Sequence, residues 1–366
     1  MLKRIYCDNY KCLVNFVFRP SPLQLFMGRN GAGKSTVFEV LELLRDFAAR
    51  GERCEGRMMG RTRTRWQEAE QQTFELEVEA TDGVYIYQLV VTEWGPTAQL
   101  RVKRESVTFN SNQLFLFEDA TVHLHNDRYE EKVKFPFDFK RSALAIVESR
   151  PDNKKLTWFK EWLSGVYFAQ IDPKRMSSRA EKEAVSPSFD LANFADWYRH
   201  LRLDQGKAME DLRSSLEEVI GGFISLDLKE AGLNTRVLQL SSRIDNKVIS
   251  FAFEELSEGQ RALVGLYTIV HCAPTVFSLI CIDEPENFVA LAEIQPWLAL
   301  LDNLESEGVQ VFVASHHPEL LNQLAPDHGV ILDRTDGRYT QVKPFDSHGQ
   351  TSLTPSEIVA RGWELV

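Results

Sequence analysis

The chain has 366 residues, 43% of them hydrophobic, and a formal net charge of −11. That length allows roughly two domains, that composition supports an ordinary buried core, and the acidic balance argues against a surface built throughout to condense on nucleic acid. Five cysteines (Cys7, Cys12, Cys54, Cys272 and Cys281) form no C-x-x-C pair, which points to reduced core residues and not to a disulfide framework or a zinc site. No apolar stretch reaches signal-peptide or membrane-spanning length, so a cytoplasmic chain with no membrane partner is expected.

From Ile5 to Phe18 apolar and polar residues alternate, and Leu23 to Met27 is a short apolar run. Both read as strands of a small opening sheet. Residues 28 to 36 then read Gly-Arg-Asn-Gly-Ala-Gly-Lys-Ser-Thr, and Gly28, Gly33, Lys34 and Ser35 match every fixed position of a phosphate-binding loop in its strand-then-helix setting. Glycines let the backbone curl until its N–H groups face phosphate oxygens, and the helix that follows, expected to run to about Ala49, adds the positive end of its dipole. Gly28, Asn30, Gly31, Gly33, Lys34, Ser35 and Thr36 are therefore the expected nucleotide cradle. Lys34 supplies a point charge at the β- and γ-phosphates and Ser35 a hydroxyl for Mg²⁺.

Arginines crowd the next segment: Arg45, Arg50, Arg53, Arg57, Arg61, Arg63 and Arg65 against Asp46, Glu52 and Glu55, with Trp66 following. Lys140, Arg141, Arg150, Lys154, Lys155 and Lys160 form a second basic tract beside Trp158 and Phe159. Cations interleaved with aromatics suit a nucleic-acid backbone, and a solvated exposed face is the plainer reading. Between them, Thr73 to Phe117 alternates with period two and reads as antiparallel strands. Trp158 to Gln170 returns to an apolar strand. A largely helical lobe follows, with Leu191, Phe194, Trp197, Tyr198 and Leu201 on one helix face and Met209, Leu212, Leu216, Val219 and Ile220 on another. Further strands are expected at Gly222–Leu228, Thr235–Leu240 and Val248–Phe253.

Leu256-Ser-Glu-Gly-Gln-Arg261 stands at the start of a helical run, where Ser257 as N-cap and the exposed amides make an anion-binding terminus. The continuous apolar run Val276–Ile282 reads as a strand buried on both faces, and it ends in Asp283-Glu284-Pro285-Glu286. Ligands gather beyond the carboxyl ends of such strands. There Asp283 would hold Mg²⁺ through a water and Glu284 would act as general base on the attacking water. A third apolar strand, Val309–Ala314, leads to Ser315-His316-His317-Pro318. His316 is placed to reach the γ-phosphate and the attacking water, and His317 to start a helix.

These motifs, in this order, resemble the ABC-type ATPase heads of the RecF, SMC and OLD families, a likeness that runs from Asp8-Asn-Tyr-Lys-Cys-Leu13 to Glu357-Ile-Val-Ala-Arg-Gly-Trp363. The resemblance implies an α/β P-loop NTPase head with a mixed or parallel core sheet, an antiparallel β subdomain and a helical signature lobe. Residues 1–172 would form the N-terminal part of the nucleotide-binding lobe, 173–270 the helical lobe and 271–366 the C-terminal part. In such heads two subunits sandwich ATP, so Ser257 and Gly259 would act on the nucleotide of the other subunit, with Gln260 among the nucleotide-binding residues. Gln170 would be the Q-loop ligand of Mg²⁺ and water. Two departures stand out. Glu258 occupies a position where transporter ATPases have glycine, and Val289-Ala290-Leu291 replaces the Leu-His-Pro of many relatives.

The implied function is an ATPase, using ATP and Mg²⁺, whose dimerisation or higher assembly works as a switch on a separately encoded effector or nuclease in anti-phage defence. No second catalytic constellation, and no appended nuclease, is legible in the chain. A RecF-like repair ATPase binding DNA through Arg57, Arg61, Arg63, Arg65, Lys154 and Lys155 is the alternative, as is a nucleotide-dependent scaffold with weak turnover.

Overall fold

Strict alternation of apolar and polar side chains makes strands with one buried face, and the first third of the chain is largely such sequence. The computed structural model describes residues 1–53, 57–95, 99–334, 337, 339–346 and 353–362. Cys54, Glu55 and Trp363 lie outside them. The chain divides into two units, Met1–Val166 with Leu324–Val366, and Tyr167–Gln323.

In the first unit, the strands Leu2–Asp8, Phe16–Phe18, Gln71–Ala80, Gly83–Trp94, Gln99–Phe109, Asn112–Glu118, Thr121–His125 and Glu131–Pro136 form an eight-stranded sheet, antiparallel throughout. Alternation is visible in Gln71–Ala80, where Gln72, Phe74, Leu76 and Val78 are buried. The expectation of one small opening sheet is corrected here. Leu23–Met27 pairs in parallel with Gly329–Asp333, which pairs antiparallel with Gln341–Pro344. All five residues of Leu23–Met27 are buried, so its apolar run demands cover on both faces but cannot name a partner about 300 residues away.

Helix Lys34–Leu44 continues through a π-helical turn, Arg45–Ala49. It buries Val37, Phe38, Val40, Leu41, Leu43 and Leu44, with the Phe38 ring edge-on to Phe26 at 5.3 Å. Helix Lys154–Ser164 precedes the strand Val166–Ala169. Its aromatics belong to the core: Trp158 stacks on Tyr85 at 4.9 Å and Phe159 is fully buried.

In the second unit, the strands Val166–Ala169, Leu279–Asp283 and Gln310–Ala314 lie side by side in that order. The last two run parallel with Asp283 opposite Ala314. Helices Phe194–Asp204, Gly206–Val219, Glu258–Val276 and Leu291–Ser306 accompany them. Phe223–Glu230, Arg236–Ile244 and Lys247–Ala252 form an antiparallel sheet joined by the short Arg179–Ala180. The apolar faces expected of the first two helices are buried at Phe194, Trp197, Tyr198, Leu201, Leu212 and Leu216. Cys7, Cys12, Cys272 and Cys281 are buried and form no disulfide among the described residues. No helix among the described residues is long and apolar enough to cross a membrane.

Candidate active site

The expected phosphate loop lies in the first unit and its shape rests on glycine. Gly28, Gly31 and Gly33 have φ of 132°, 78° and 112°, values that L side chains rarely adopt. A Cβ on Gly28 would also sit 2.2 Å from the Leu332 carbonyl oxygen, and one on Gly33 2.7 Å from Thr340 Oγ1. The first intrahelical bond runs from Val37 N–H to Gly33 O at 3.1 Å, which leaves the preceding amides at a helix N-terminus suited to an anion. Lys34 Nζ donates to Gly28 O at 2.8 Å, so its charge spans the loop. Asn30, Gly31 and Ser35 are exposed, whereas the Thr36 hydroxyl faces Cys12 Sγ at 3.9 Å.

Three supports of this loop carry no local signal in the sequence. Arg334 donates to Gly31 O at 2.9 Å while its guanidinium lies 5.7 Å above the Trp66 ring, and the Thr340 hydroxyl donates to Ala32 O at 2.8 Å. The Leu332 carbonyl forms the wall against Gly28. All three belong to the segment that follows Gly329 and reaches the loop because its strand pairs with Leu23–Met27.

In the second unit, the parallel pair delivers Asp283-Glu284 and Ser315-His316 to the same end of two buried strands. Glu284 N–H donates to Ala314 O at 2.8 Å, locking the two exits together. Glu284 Oε1 stands 3.3 Å from His316 Nδ1, and its Oε2 accepts from Asn287 Nδ2 at 2.9 Å. This carboxylate is held from both sides, yet a third of its side chain is exposed (33%) and the His316 side chain more so (64%). Its backbone has φ 52°, an uncommon conformation for a non-glycine residue and one that clusters where geometry serves function. Asp283 is buried at the strand end. Asn287 carries no signal in the sequence, because an amide three residues after a carboxylate has no motif of its own. His317 starts helix Pro318–His328, its Nδ1 accepting from Glu319 N–H at 3.3 Å.

Ser257 caps helix Glu258–Val276 in a capping box: its Oγ accepts from Gln260 N–H at 3.2 Å, and Gln260 Oε1 accepts from Ser257 N–H at 3.1 Å. Such a box fixes the helix start and its amides. Gln260 thus has an internal role here. Gly259 is demanded by contact, since a Cβ there would lie 2.7 Å from the Phe288 carbonyl. Gln170 is exposed just beyond the strand Val166–Ala169, its N–H donating to Phe189 O at 2.8 Å.

The basic tracts do not form one free surface. Arg45 is buried and donates to Val166 O at 2.9 Å and Asp46 at 2.9 Å. Arg57 pairs with Asp46 at 2.7 Å and Glu42 at 2.9 Å, and Arg63 reaches Glu93 at 3.5 Å and Ala69 O at 2.9 Å. Burial pushes the Glu42 carboxyl up from its ordinary range. Lys155 donates to Tyr129 Oη at 2.7 Å and Asp127 O at 3.1 Å. Arg61, Arg65 and Lys154 stay exposed.

Residues 118–322 match the family model AAA_21, described as "AAA domain, putative AbiEii toxin, Type IV TA system". No curated protein matches the chain. Among solved structures, an SMC head bound to the C-winged helix domain of ScpA superposes with a TM-score of 0.59 at 13% identity, over 96% of this chain and 99% of that one. An SMC head domain from Thermotoga maritima gives 0.46 at 13% identity, over 94% and 99%. With a family model matching more than half of its length, the chain belongs to the AAA_21 family of AAA domains, and its fold is that of an SMC head.

Proposed function

We propose that this chain binds ATP with Mg²⁺, hydrolyses it, and uses the cycle to close and reopen a dimer of heads. The observation that carries the reading is the Glu284 carboxylate, gripped by His316 and Asn287 at the end of two buried parallel strands. A general base must be held in place and still reach solvent, and this one is. The phosphate loop supplies a glycine cradle with Lys34 across it. Mg²⁺ is a hard cation that takes oxygen ligands, and the Ser35 hydroxyl, the Asp283 carboxylate and the Gln170 amide oxygen are such a set. Bound there, the metal would offset charge on the phosphates. Glu284 would take a proton from water while His316 orients that water, and Ser257 and Gly259 of a second copy would complete the site.

The family description names an AbiEii toxin of a type IV TA system, and the solved SMC head is bound to a domain of ScpA. Both support a head whose ATP state is read by a separately encoded effector, in our reading one of anti-phage defence. The deciding experiment is Glu284→Gln in the full chain. Slow hydrolysis should trap dimers with ATP and Mg²⁺, seen as a doubled mass by light scattering, with phosphate release reduced about a thousandfold. Persistence of a monomer with ATP, or unchanged turnover, would sink the proposal.

A further inference from the structure

In the first unit a groove of about 670 Å³ is lined by Arg53, Arg61, Lys140 and Arg141 together with Asp138 and the segment Met58–Gly60. It joins residues of both basic tracts, which lie far apart in the chain. Unlike Arg45, Arg57 and Arg63, these four cations have no ion pair or side-chain hydrogen bond among the described residues. Asp138 is the one acidic wall residue among the described residues, and its Oδ1 already accepts from Lys140 N–H at 3.0 Å. Four cations with no ion pair among the described residues, gathered in one concavity on a chain of net charge −11, make a local field opposite to that of the whole molecule, and such a concavity concentrates anions.

The groove has an aromatic rim. Trp94 is 53% exposed and lies opposite Gln99 in the strand register, next to the groove residue Leu100. Its ring meets Phe139 edge-on at 5.6 Å, and Phe139 sits between Asp138 and Lys140 with the Arg101 guanidinium 5.6 Å above it. A charged channel with aromatics at its edge suits unpaired bases on a phosphate backbone. Duplex bases are already stacked and would leave Trp94 idle.

We propose that this groove binds single-stranded nucleic acid, with Arg53, Arg61, Lys140 and Arg141 on phosphates and Trp94 stacking a base. This site is independent of ATP hydrolysis. The test is fluorescence anisotropy of the full chain, without nucleotide, against a labelled oligothymidylate about 20 nucleotides long, across a salt series from about 20 mM upward. Replacing the four cations by Gln should make the slope of log affinity against log salt shallower by about 3. Trp94→Ala should weaken binding about tenfold at every salt and remove quenching of indole fluorescence by the oligonucleotide. Arg53, Arg61, Arg141 and Trp94 are exposed and Lys140 is half-buried, and circular dichroism checks that each variant folds. No binding by the wild-type chain at the lowest salt overturns the proposal. So does affinity that the four-Gln variant leaves unchanged. Equal competition by polyglutamate, or a duplex bound as tightly with Trp94→Ala silent, overturns it in favour of a general polyanion or duplex surface.

Discussion

The Ser315 hydroxyl donates a 2.6 Å hydrogen bond to the buried Glu286 carboxylate and accepts one of 3.0 Å from His317 N–H. One hydroxyl thus ties the loop after Asp283-Glu284 to the turn that carries His316. Glu286 Oε2 is buried with no hydrogen-bond partner among the described residues, an arrangement that costs stability and persists where geometry is needed. Ser315→Ala or Glu286→Ala should release that turn, lowering kcat for ATP hydrolysis about ten- to a hundredfold while KM for ATP holds, because the phosphate loop is untouched. Glu286→Gln, which keeps an acceptor for Ser315, should recover much of the loss. Steady-state phosphate release measures both.

Gly28 should not tolerate a methyl group. Its φ of 132° and the Leu332 carbonyl 2.2 Å from any added Cβ mean that Gly28→Ala must move either the loop or the strand behind it. ATP affinity should fall at least about a hundredfold in calorimetry. Arg334→Ala, which removes a guanidinium from Gly31 O, should weaken binding more mildly, by about three- to tenfold.

Gly259 bears on the Phe288 carbonyl within one chain, so Gly259→Ala should displace the loop 285–289 as well as any contact with a second copy. Mixing this variant with chains carrying Lys34→Ala separates the two effects. If Gly259 served only the other subunit, mixed dimers would regain one working site. The contact with Phe288, whose φ is 73°, predicts that less than the statistical share of activity returns in the phosphate assay.

Glu105 is fully buried, and its carboxyl is pushed up to about 7 by burial, against the opposing bonds from Ser142 at 2.6 Å and Tyr87 at 3.0 Å. A raised carboxyl holds its proton longer in the folded state than in the unfolded one. Stability is therefore greatest below the ordinary value of 4.5, declines as pH climbs to about 7, and carries the full penalty above that. Glu105→Gln should remove this decline and be the more stable form at about pH 8, by on the order of 2 to 3 kcal/mol. Thermal midpoints of both proteins between about pH 5 and pH 8 check the sign.

Some of this molecule was legible in its residues because the governing physics is local. Three glycines dictate a tight turn ahead of a helix through backbone sterics, and period-two alternation dictates half-buried strands such as Gln71–Ala80. The buried runs before Asp283 and after Val309 likewise announced two core strands. Other features required the folded chain. An apolar strand advertises burial but not its neighbour, so the pairing of Leu23–Met27 with Gly329–Asp333, and with it the placing of Leu332, Arg334 and Thr340 around the loop, emerged only in three dimensions. The fate of the arginines was equally non-local. Whether a guanidinium meets a carboxylate, as Arg57 meets Asp46 and Glu42, or stays open in a groove, as Arg61 does, depends on which surfaces folding brings together. Desolvation and pairing act over a few ångströms of space, and sequence distance does not measure them.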